Sequence, residues 1–210
     1  MGKQAVSSPK QHIGANVVEG TACPSQEKVD PRVRRTRKLL QDAFRDLLNE
    51  RSFNDVSVAD IADRATLNRA TFYAHYEDKG HLAAAIVGEE LDKAILGRLA
   101  PPAAFDRESV TAVATATFEY VAHSIRRCPK SADNFAASIG LTVQETVERF
   151  LLRWFEFQPD AERAFSGTSP EVMANALAWA LYGAAVRWSG LPRRPDAQAA
   201  ARETVEIFFR

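Results

Sequence analysis

Cysteine is scarce in this chain of 210 residues, which contains only Cys23 and Cys128. Neither has a second cysteine or a histidine at metal-ligand spacing, so the sequence predicts no metal site and no cofactor, and both thiols should be free in a reducing compartment. No apolar run approaches the roughly 18 residues of a membrane span, and the N-terminus lacks the apolar segment of a signal peptide. We therefore expect a cytoplasmic protein without a membrane partner.

Sequence motifs of catalysis are also missing. The chain has no nucleophile elbow, no glycine-rich phosphate loop and no histidine or cysteine set at metal-ligand spacing. Its four histidines are scattered along the sequence. An enzyme is therefore not expected.

Long strand-like alternation is absent too, and apolar residues recur instead at helical spacing, so the sequence predicts an all-α fold. Residues 1–29 mix serine, glycine, proline and glutamine without an apolar period and should form a flexible arm. Two further domains are expected at 30–83 and 84–210. The predicted helices cover 31–51, 58–65, 68–76, 79–99 after a cap at Asp78, 106–127, 132–157, 169–189 and 196–209.

Formal net charge is zero, with 27 basic and 27 acidic residues, but the charges are unevenly placed. Five basic residues crowd one short segment, and a local cluster suffices for phosphate contacts because screening confines its effect to about 10 Å. The alternative is a solvated helix start. The cluster consists of Arg32, Arg34, Arg35, Arg37 and Lys38.

The segment from Ser57 to Leu82 reads as two short helices joined by a tight turn. Ser57 is a favourable N-cap for the first, and Asn68 can cap the second. Phe72 and Tyr76 lie four residues apart, so both can face the core. The other face of the second helix is polar, which favours a helix-turn-helix that enters a DNA groove over a plain helical hairpin.

Side chains of this second helix suit the major groove and its phosphates. Arg69 can donate to guanine O6 and N7, Thr71 can touch a thymine methyl or a phosphate, and the small Ala70 allows close approach. Phosphate contacts are expected from Tyr73, His75 and Lys79, and from the free N–H groups of the helix that begins after Ser57.

Residues 31–82 closely resemble the DNA-binding domain of the tetracycline-repressor (TetR) family of bacterial transcription regulators. The resemblance is carried by Ser57-Val58, Ile61-Ala62, Ala65, Thr71-Phe72-Tyr73, His75-Tyr76, Lys79 and Leu82. It implies that Phe72 and Tyr76 are core residues and that Thr36 and Arg37 flank the phosphates. The residues that it implies to lie along DNA are Asn68, Arg69, Thr71, Tyr73, His75 and Lys79.

Three positions depart from the family pattern. Thr66 stands where the family usually has glycine in the turn, so either the turn relaxes to negative φ or strain is accepted. Ser52 replaces a common glycine after the first helix. Gly80 replaces a helix-favouring residue, at a cost of about 1 kcal/mol in helix propensity.

The resemblance also implies that residues 84–210 form a helical bundle that binds a small effector and makes a homodimer. Residues 170–191 are similar to the family's dimerising helix and carry small residues that let two helices approach closely. The alternative is an ordinary core helix. The predicted interface comprises Ala176, Ala180, Tyr182, Gly183, Ala184, Trp188 and Phe208.

Aromatic residues are abundant in the predicted bundle and favour an apolar or aromatic effector of unknown identity. Ordinary core packing is the alternative for each of them. The predicted ligand-binding residues are Phe118, His123, Phe135 and Trp154.

The sequence thus predicts a transcriptional regulator, a ligand-responsive repressor that binds a palindromic operator in double-stranded DNA as a homodimer. A helical protein–protein adaptor without sequence-specific DNA binding is the alternative function.

Overall fold

The computed structural model describes residues 30–99, 104–127, 132–156 and 167–209. The predicted N-terminal arm, both cysteines and the side chain of Phe135 lie outside this description. The described residues contain eight α-helices and no strand, which confirms the all-α prediction. None of these helices is both long enough and apolar enough to cross a membrane.

The first three helices, α1 to α3, form a compact N-terminal unit. Helix α1 spans Pro31–Glu50, and the Asp30 side chain caps it by accepting from the Arg32 amide at 2.8 Å. After a 3-10 turn at Phe53–Asp55, α2 covers Val58–Arg64 and α3 covers Arg69–Tyr73. Helix α3 is shorter than the predicted 68–76, because the His75 amide turns to the Phe72 carbonyl at 2.9 Å in a tight final turn.

Helix α4, Lys79–Leu96, begins after the predicted cap Asp78 and ends earlier than predicted. It begins at Lys79 because the Asp78 side chain accepts from the His81 amide at 2.7 Å. It ends before Gly97, whereas the prediction continued to residue 99. The boundary that we expect between residues 83 and 84 falls within this helix.

The remaining helices agree with the predicted spans to within three residues at either end, and they form the C-terminal bundle. Helix α5 packs against both α7 and α8, while α6 packs against α7 and α4. One hydrophobic cluster runs from Leu40 in α1 to Val205 in α8, so the N-terminal unit and the bundle share a continuous core. The bounds are α5 Arg107–Arg127, α6 Ala132–Glu156, α7 Pro170–Ser189 and α8 Ala197–Glu206.

Helices α6 and α7 approach each other closely at Gly140. A β-carbon at Gly140 would lie 2.1 Å from the hydroxyl oxygen of Tyr182, so only glycine leaves room for that side chain. Burial raises the pKa of the Tyr182 hydroxyl. The hydroxyl end of Tyr182 therefore packs against α6 within its own chain, and its place in a dimer interface stays a prediction.

Candidate nucleic-acid interface

Helix α2 is fixed at its start by a reciprocal capping box. The Ser57 hydroxyl accepts from the Asp60 amide at 3.1 Å, and the Asp60 carboxylate accepts from the Ser57 amide at 2.9 Å. The Ser57 hydroxyl also donates to that carboxylate. Both polar groups of Ser57 are thus engaged in capping α2, and a phosphate contact at this helix start stays a prediction.

The turn after α2 is a Schellman motif. The Thr66 amide donates to Asp63 at 3.1 Å and the Leu67 amide donates to Ala62 at 2.9 Å, the two bonds that define this helix ending. The motif requires the left-handed conformation at Thr66, whose φ is 55°. The sequence left two conformations open for Thr66, a relaxed turn with negative φ or a strained turn with positive φ. The structure shows the strained turn.

Helix α3 is anchored by two aromatic residues, as predicted. Phe72 is fully buried, Tyr76 is 4% exposed, and their ring centroids are 5.9 Å apart. Burial raises the pKa of the Tyr76 hydroxyl, which accepts from the Gln41 amide at 3.4 Å. The same amide donates to Glu89 at 3.1 Å, so a buried glutamine on α1 links α3 to α4.

The opposite face of α3 is open. Asn68, Arg69 and Ala70 are exposed, and Tyr73 is 58% exposed. The Asn68 side-chain oxygen accepts from the Thr71 amide at 2.7 Å and from its hydroxyl at 3.0 Å, which leaves the Asn68 amide nitrogen to donate outward.

The N-terminal half of α1 brings positive charge to the end of α3. Arg37 is exposed and Thr36 is half-buried. Partial burial lowers the pKa of His75, and the nearby Arg37 charge lowers it further, so both effects favour the neutral imidazole. A neutral imidazole can still donate one hydrogen bond to a phosphate. Lys38 is paired with Asp42 at 3.1 Å, although its side chain is largely exposed.

Lys79 has a structural role that the sequence did not indicate. Its ammonium nitrogen donates to the carbonyl oxygens of Phe53 at 2.8 Å, Asn54 at 3.2 Å and Val56 at 2.8 Å. An ammonium has three donors, and these bonds use all of them. The predicted phosphate contact by Lys79 is therefore wrong: the side chain ties the start of α4 to the 3-10 turn.

The three predicted ligand-binding residues whose side chains the structure describes do not converge on one site. Phe118 is buried against Trp188, with ring centroids 5.6 Å apart, whereas His123 is exposed. Trp154 packs against Phe105 at the far end of α6, with ring centroids 5.3 Å apart. The helical spacing of these aromatic residues thus indicates packing in the core and not a shared pocket.

The predicted dimer residues divide into an outer and an inner group. On α7, Ala176 and Gly183 are exposed, and Ala180 and Ala184 are half-buried. Trp188 instead packs its ring against Phe118 and donates from its indole nitrogen to the Pro195 carbonyl at 3.1 Å, so its interface role stays a prediction. Phe208 likewise packs against the core of its own chain. Exposed apolar residues that the prediction omitted continue the outer stripe: Val172, Trp179 and Val186.

A polar network between the N-terminal unit and the bundle was also missed. Arg45 on α1 donates to Glu90 on α4 at 3.0 Å and to Asp42 at 3.2 Å, and Tyr120 on α5 donates to Glu90 at 3.3 Å. Burial, followed by the Glu90 charge, raises the pKa of Tyr120 well above its ordinary value. Arg45, Glu90 and Tyr120 are far apart in the sequence and follow no motif. No local sequence signal could therefore have predicted that they are in contact.

Together, a short helix with an exposed polar face, a buried aromatic anchor and a basic neighbouring helix define a DNA-binding protein of the helix-turn-helix class. Residues 40–86 match the sequence profile of the family described as "Bacterial regulatory proteins, tetR family". Residues 40–86 therefore place the DNA-binding part of the chain in the TetR family of regulators. That family comprises regulatory proteins and not enzymes, in agreement with the sequence prediction.

Known proteins resemble the chain in sequence and in fold. An uncharacterized HTH-type transcriptional regulator of Bacillus subtilis, YxbF, is 40% identical over 68 residues, which is 30% of this chain and 18% of that protein's length. A TetR transcriptional regulator from Streptococcus agalactiae has a TM-score of 0.55 at 17% identity, covering 86% of this chain and 97% of the other. The fatty acid degradation regulator FadR from Bacillus halodurans has a TM-score of 0.53 at 15% identity, covering 82% and 97%. The two structures share the fold.

Proposed function

We propose that the protein binds a palindromic operator in double-stranded DNA as a homodimer and thereby controls transcription. The observation that carries the proposal is the exposed polar face of α3, held in place by the buried Phe72 and Tyr76. A five-residue helix cannot be stable alone, so its anchors must come from the core while its other face stays free. That arrangement allows α3 to enter a major groove.

Within this proposal the polar side chains divide into two groups. Arg69 is exposed at the start of α3, where recognition helices meet base edges, and can donate to guanine. Ala70 and Thr71 lie beside it and approach the groove. Phosphate contacts position the protein without reading sequence. They are assigned to Asn68, Tyr73 and His75 on the α3 segment and to Thr36 and Arg37 on α1.

Dimerisation is assigned to the outer face of α7. Val172 is 60% exposed and Trp179 is 52% exposed, and the small Ala176 and Gly183 lie on the same face at three- and four-residue spacing. No atom lies within 4 Å of a β-carbon built on Gly183, so this face is open in the single chain. Two copies joined here by a two-fold axis would present two α3 helices to half-sites about 34 Å apart.

A small apolar or aromatic effector is proposed to control this binding, with repression as the ordinary state. The effector must favour an arrangement of the two α3 helices that no longer matches the half-sites. To move most molecules from one arrangement to the other, it must bind the second more tightly by several kcal/mol.

Fluorescence anisotropy with DNA taken from beside the protein's own gene tests the proposal. We expect sequence-selective binding that weakens steeply with added salt, because phosphate contacts release counterions. Equal binding to operator and scrambled DNA at every salt concentration would contradict it. That result would favour the adaptor alternative, in which the bundle contacts proteins.

A further inference from the structure

The end of the α3 segment is tied to α1 by a hydrogen bond that its packing does not require. Phe72 is fully buried and Tyr76 is 4% exposed, so the two rings by themselves supply an apolar anchor. The Tyr76 hydroxyl adds a polar group inside this core, where it accepts from the amide of Gln41, which is 6% exposed. Replacing both partners of a buried hydrogen bond by apolar groups of the same shape can leave stability unchanged. Stability alone therefore does not account for the pair.

Gln41 donates to two other parts of the chain at once. Its amide nitrogen lies 3.4 Å from the Tyr76 hydroxyl oxygen and 3.1 Å from a carboxylate oxygen of Glu89 on α4. A primary amide has two N–H donors in one plane, and these two acceptors use both of them. Apolar contacts have no preferred direction, whereas hydrogen bonds do. The two bonds therefore set the orientation of Tyr76 relative to α1 and α4 together.

Phe72 lies between Arg69 and Tyr76 in the α3 segment. Arg69 is three residues before Phe72 and Tyr76 is four residues after it, which corresponds to about 4.5 Å and about 6 Å along a helix. The Tyr76 amide donates to the Phe72 carbonyl at 2.9 Å, as in a helix, so the segment moves as one piece. A small rotation about the buried Phe72 ring would thus move Arg69 and Tyr76 by similar distances in opposite directions. The hydrogen bond of the Tyr76 hydroxyl opposes this rotation.

Gln41 belongs to the same helix as Arg37, which lies one turn earlier. Residues four apart on a helix share a face, and Arg37 is close enough to the α3 segment that its charge adds to burial in lowering the pKa of His75. Arg37 and Gln41 therefore both face the end of the α3 segment. The bond from Gln41 to Tyr76 thus fixes how far the proposed phosphate contact at Arg37 lies from the proposed base contact at Arg69.

We propose that Gln41 and Tyr76 are positioning residues for sequence recognition, and that their hydrogen bond holds α3 at the angle from α1 at which Arg69 reaches a base edge. Both are buried, so they act through Arg69 and do not touch DNA themselves. A hydrogen bond to a base edge depends steeply on its angle, whereas attraction to a phosphate falls only slowly with distance. Loss of the orientation should therefore reduce selectivity more than general DNA affinity. This inference rests on the proposed function, in which α3 reads DNA.

Fluorescence anisotropy of Tyr76→Phe, on an operator obtained by selection and on scrambled DNA, tests the positioning role. The substitution removes one oxygen atom and keeps the ring. We expect affinity for the operator to fall about three- to tenfold, the range of one hydrogen bond, while affinity for scrambled DNA and its salt dependence stay unchanged. Tyr120→Phe is the matched control, since it removes a partly buried hydroxyl that donates to Glu90 on α4 and leaves α3 untouched. Wild-type selectivity in Tyr76→Phe, or an equal loss in Tyr120→Phe, would overturn the proposal.

The double variant Gln41→Met/Tyr76→Phe separates positioning from stability. It replaces both partners of the buried bond by apolar side chains of similar shape, so its thermal unfolding midpoint should match that of the wild type. Its selectivity for the operator should nevertheless be as low as that of Tyr76→Phe, because no directional bond holds α3. Wild-type selectivity in this stable double variant would overturn the proposal.

Combination with Arg69→Ala tests the route through Arg69. Because Tyr76 is proposed to act by placing Arg69, Tyr76→Phe should cause no further loss of discrimination at the base pair that Arg69 reads once Arg69 is alanine. Additive losses would overturn this route. A wild type that binds operator and scrambled DNA alike would contradict the proposed function and the positioning role with it, whereas a selective wild type with an equally selective Tyr76→Phe contradicts the positioning role alone.

Discussion

Thr66 holds a backbone conformation that glycine adopts freely and a β-branched residue does not. Its φ of 55° is required by the Schellman motif, in which the residue after the C-cap is left-handed. The cost for a residue with a β-carbon is roughly 1–2 kcal/mol. Core anchors on both sides, Ile61 before the turn and Phe72 after it, are fully buried and keep the turn in place.

Replacement of Thr66 by glycine should stabilise the protein. The relief of strain exceeds the extra backbone entropy of glycine in the unfolded chain, so we expect a net gain of about 0.5–1 kcal/mol in the free energy of unfolding. Urea denaturation measures it. Thr66→Ala is the matched control, since alanine keeps the β-carbon and should gain little. An equal gain from both substitutions would show that the φ strain is not the cause.

Lys79 is a second residue whose role depends on its surroundings. A positive charge at the first position of a helix opposes the helix dipole. Three carbonyl oxygens from the preceding 3-10 turn offset that cost, and the ammonium also lies 4.7 Å above the Phe53 ring. Lys79 thus stabilises the junction between the turn and α4.

The substitution Lys79→Met keeps the length of the side chain and removes its three donors. We expect a loss of about 1–3 kcal/mol in the free energy of unfolding, because partly buried carbonyl groups lose their partner. Thermal denaturation followed by circular dichroism measures it. A variant of unchanged stability whose DNA affinity depends less steeply on salt would restore the phosphate role that the sequence suggested.

At the scale of single helices, the starts were predictable because their signals are local. Asp30, Ser57 and Asn68 each accept from an amide two or three residues later, as helix-capping patterns predict. Lys79 was not predictable in the same way, because its partners lie 23 to 26 residues earlier in the chain. Aromatic spacing on α5 and α6 correctly indicated burial, but burial alone does not tell which neighbouring helix a ring contacts.

The close contact between α6 and α7 depends on the absence of a side chain at Gly140. Gly140→Ala would place a methyl group 2.1 Å from the Tyr182 oxygen, so Tyr182 must move out of its packed position. We expect a loss of about 1–3 kcal/mol in the free energy of unfolding, as for other overpacked cores. Chemical denaturation measures it.

A double-mutant cycle tests whether Tyr182 is the cause. In a Tyr182→Leu background the same Gly140→Ala change should cost clearly less, with a coupling energy of at least about 0.5 kcal/mol. Strictly additive losses would show that the methyl group meets some other obstacle.

At the scale of the whole molecule, the outer face of α7 is the surface to which we assign dimerisation. Trp179→Glu places a charge in the middle of this apolar stripe, so we expect monomers at micromolar concentration and weakened binding to a palindromic site. Sedimentation velocity measures the oligomeric state. Leu141→Glu is the matched control, since Leu141 on α6 is 57% exposed against 52% for Trp179. Dissociation by the control, or a stable dimer of Trp179→Glu, would contradict the assignment.

Helix α4 connects the N-terminal unit to the bundle as one continuous helix. It contacts α5 and α6, and it is linked to α1 by the Arg45–Glu90 pair and to α3 through Gln41. A sequence divided into domains at residue 83 does not show this continuity, because the linking partners are 45 and 48 residues apart. A conformational change in the bundle can therefore reach α3 through these contacts of α4.

The central claim is that Arg69 reads a base while the α1 cluster holds phosphates. The measurement that tests it most directly is anisotropy of wild type, Arg69→Ala and Arg37→Ala on an operator obtained by selection, with each base pair varied in turn. We expect Arg69→Ala to lose about 1–3 kcal/mol of discrimination at one base pair of each half-site. Arg37→Ala should weaken binding to all sequences alike and reduce the salt slope by about one. If Arg69→Ala discriminates every base pair as the wild type does, α3 does not read DNA through Arg69 and the account is wrong.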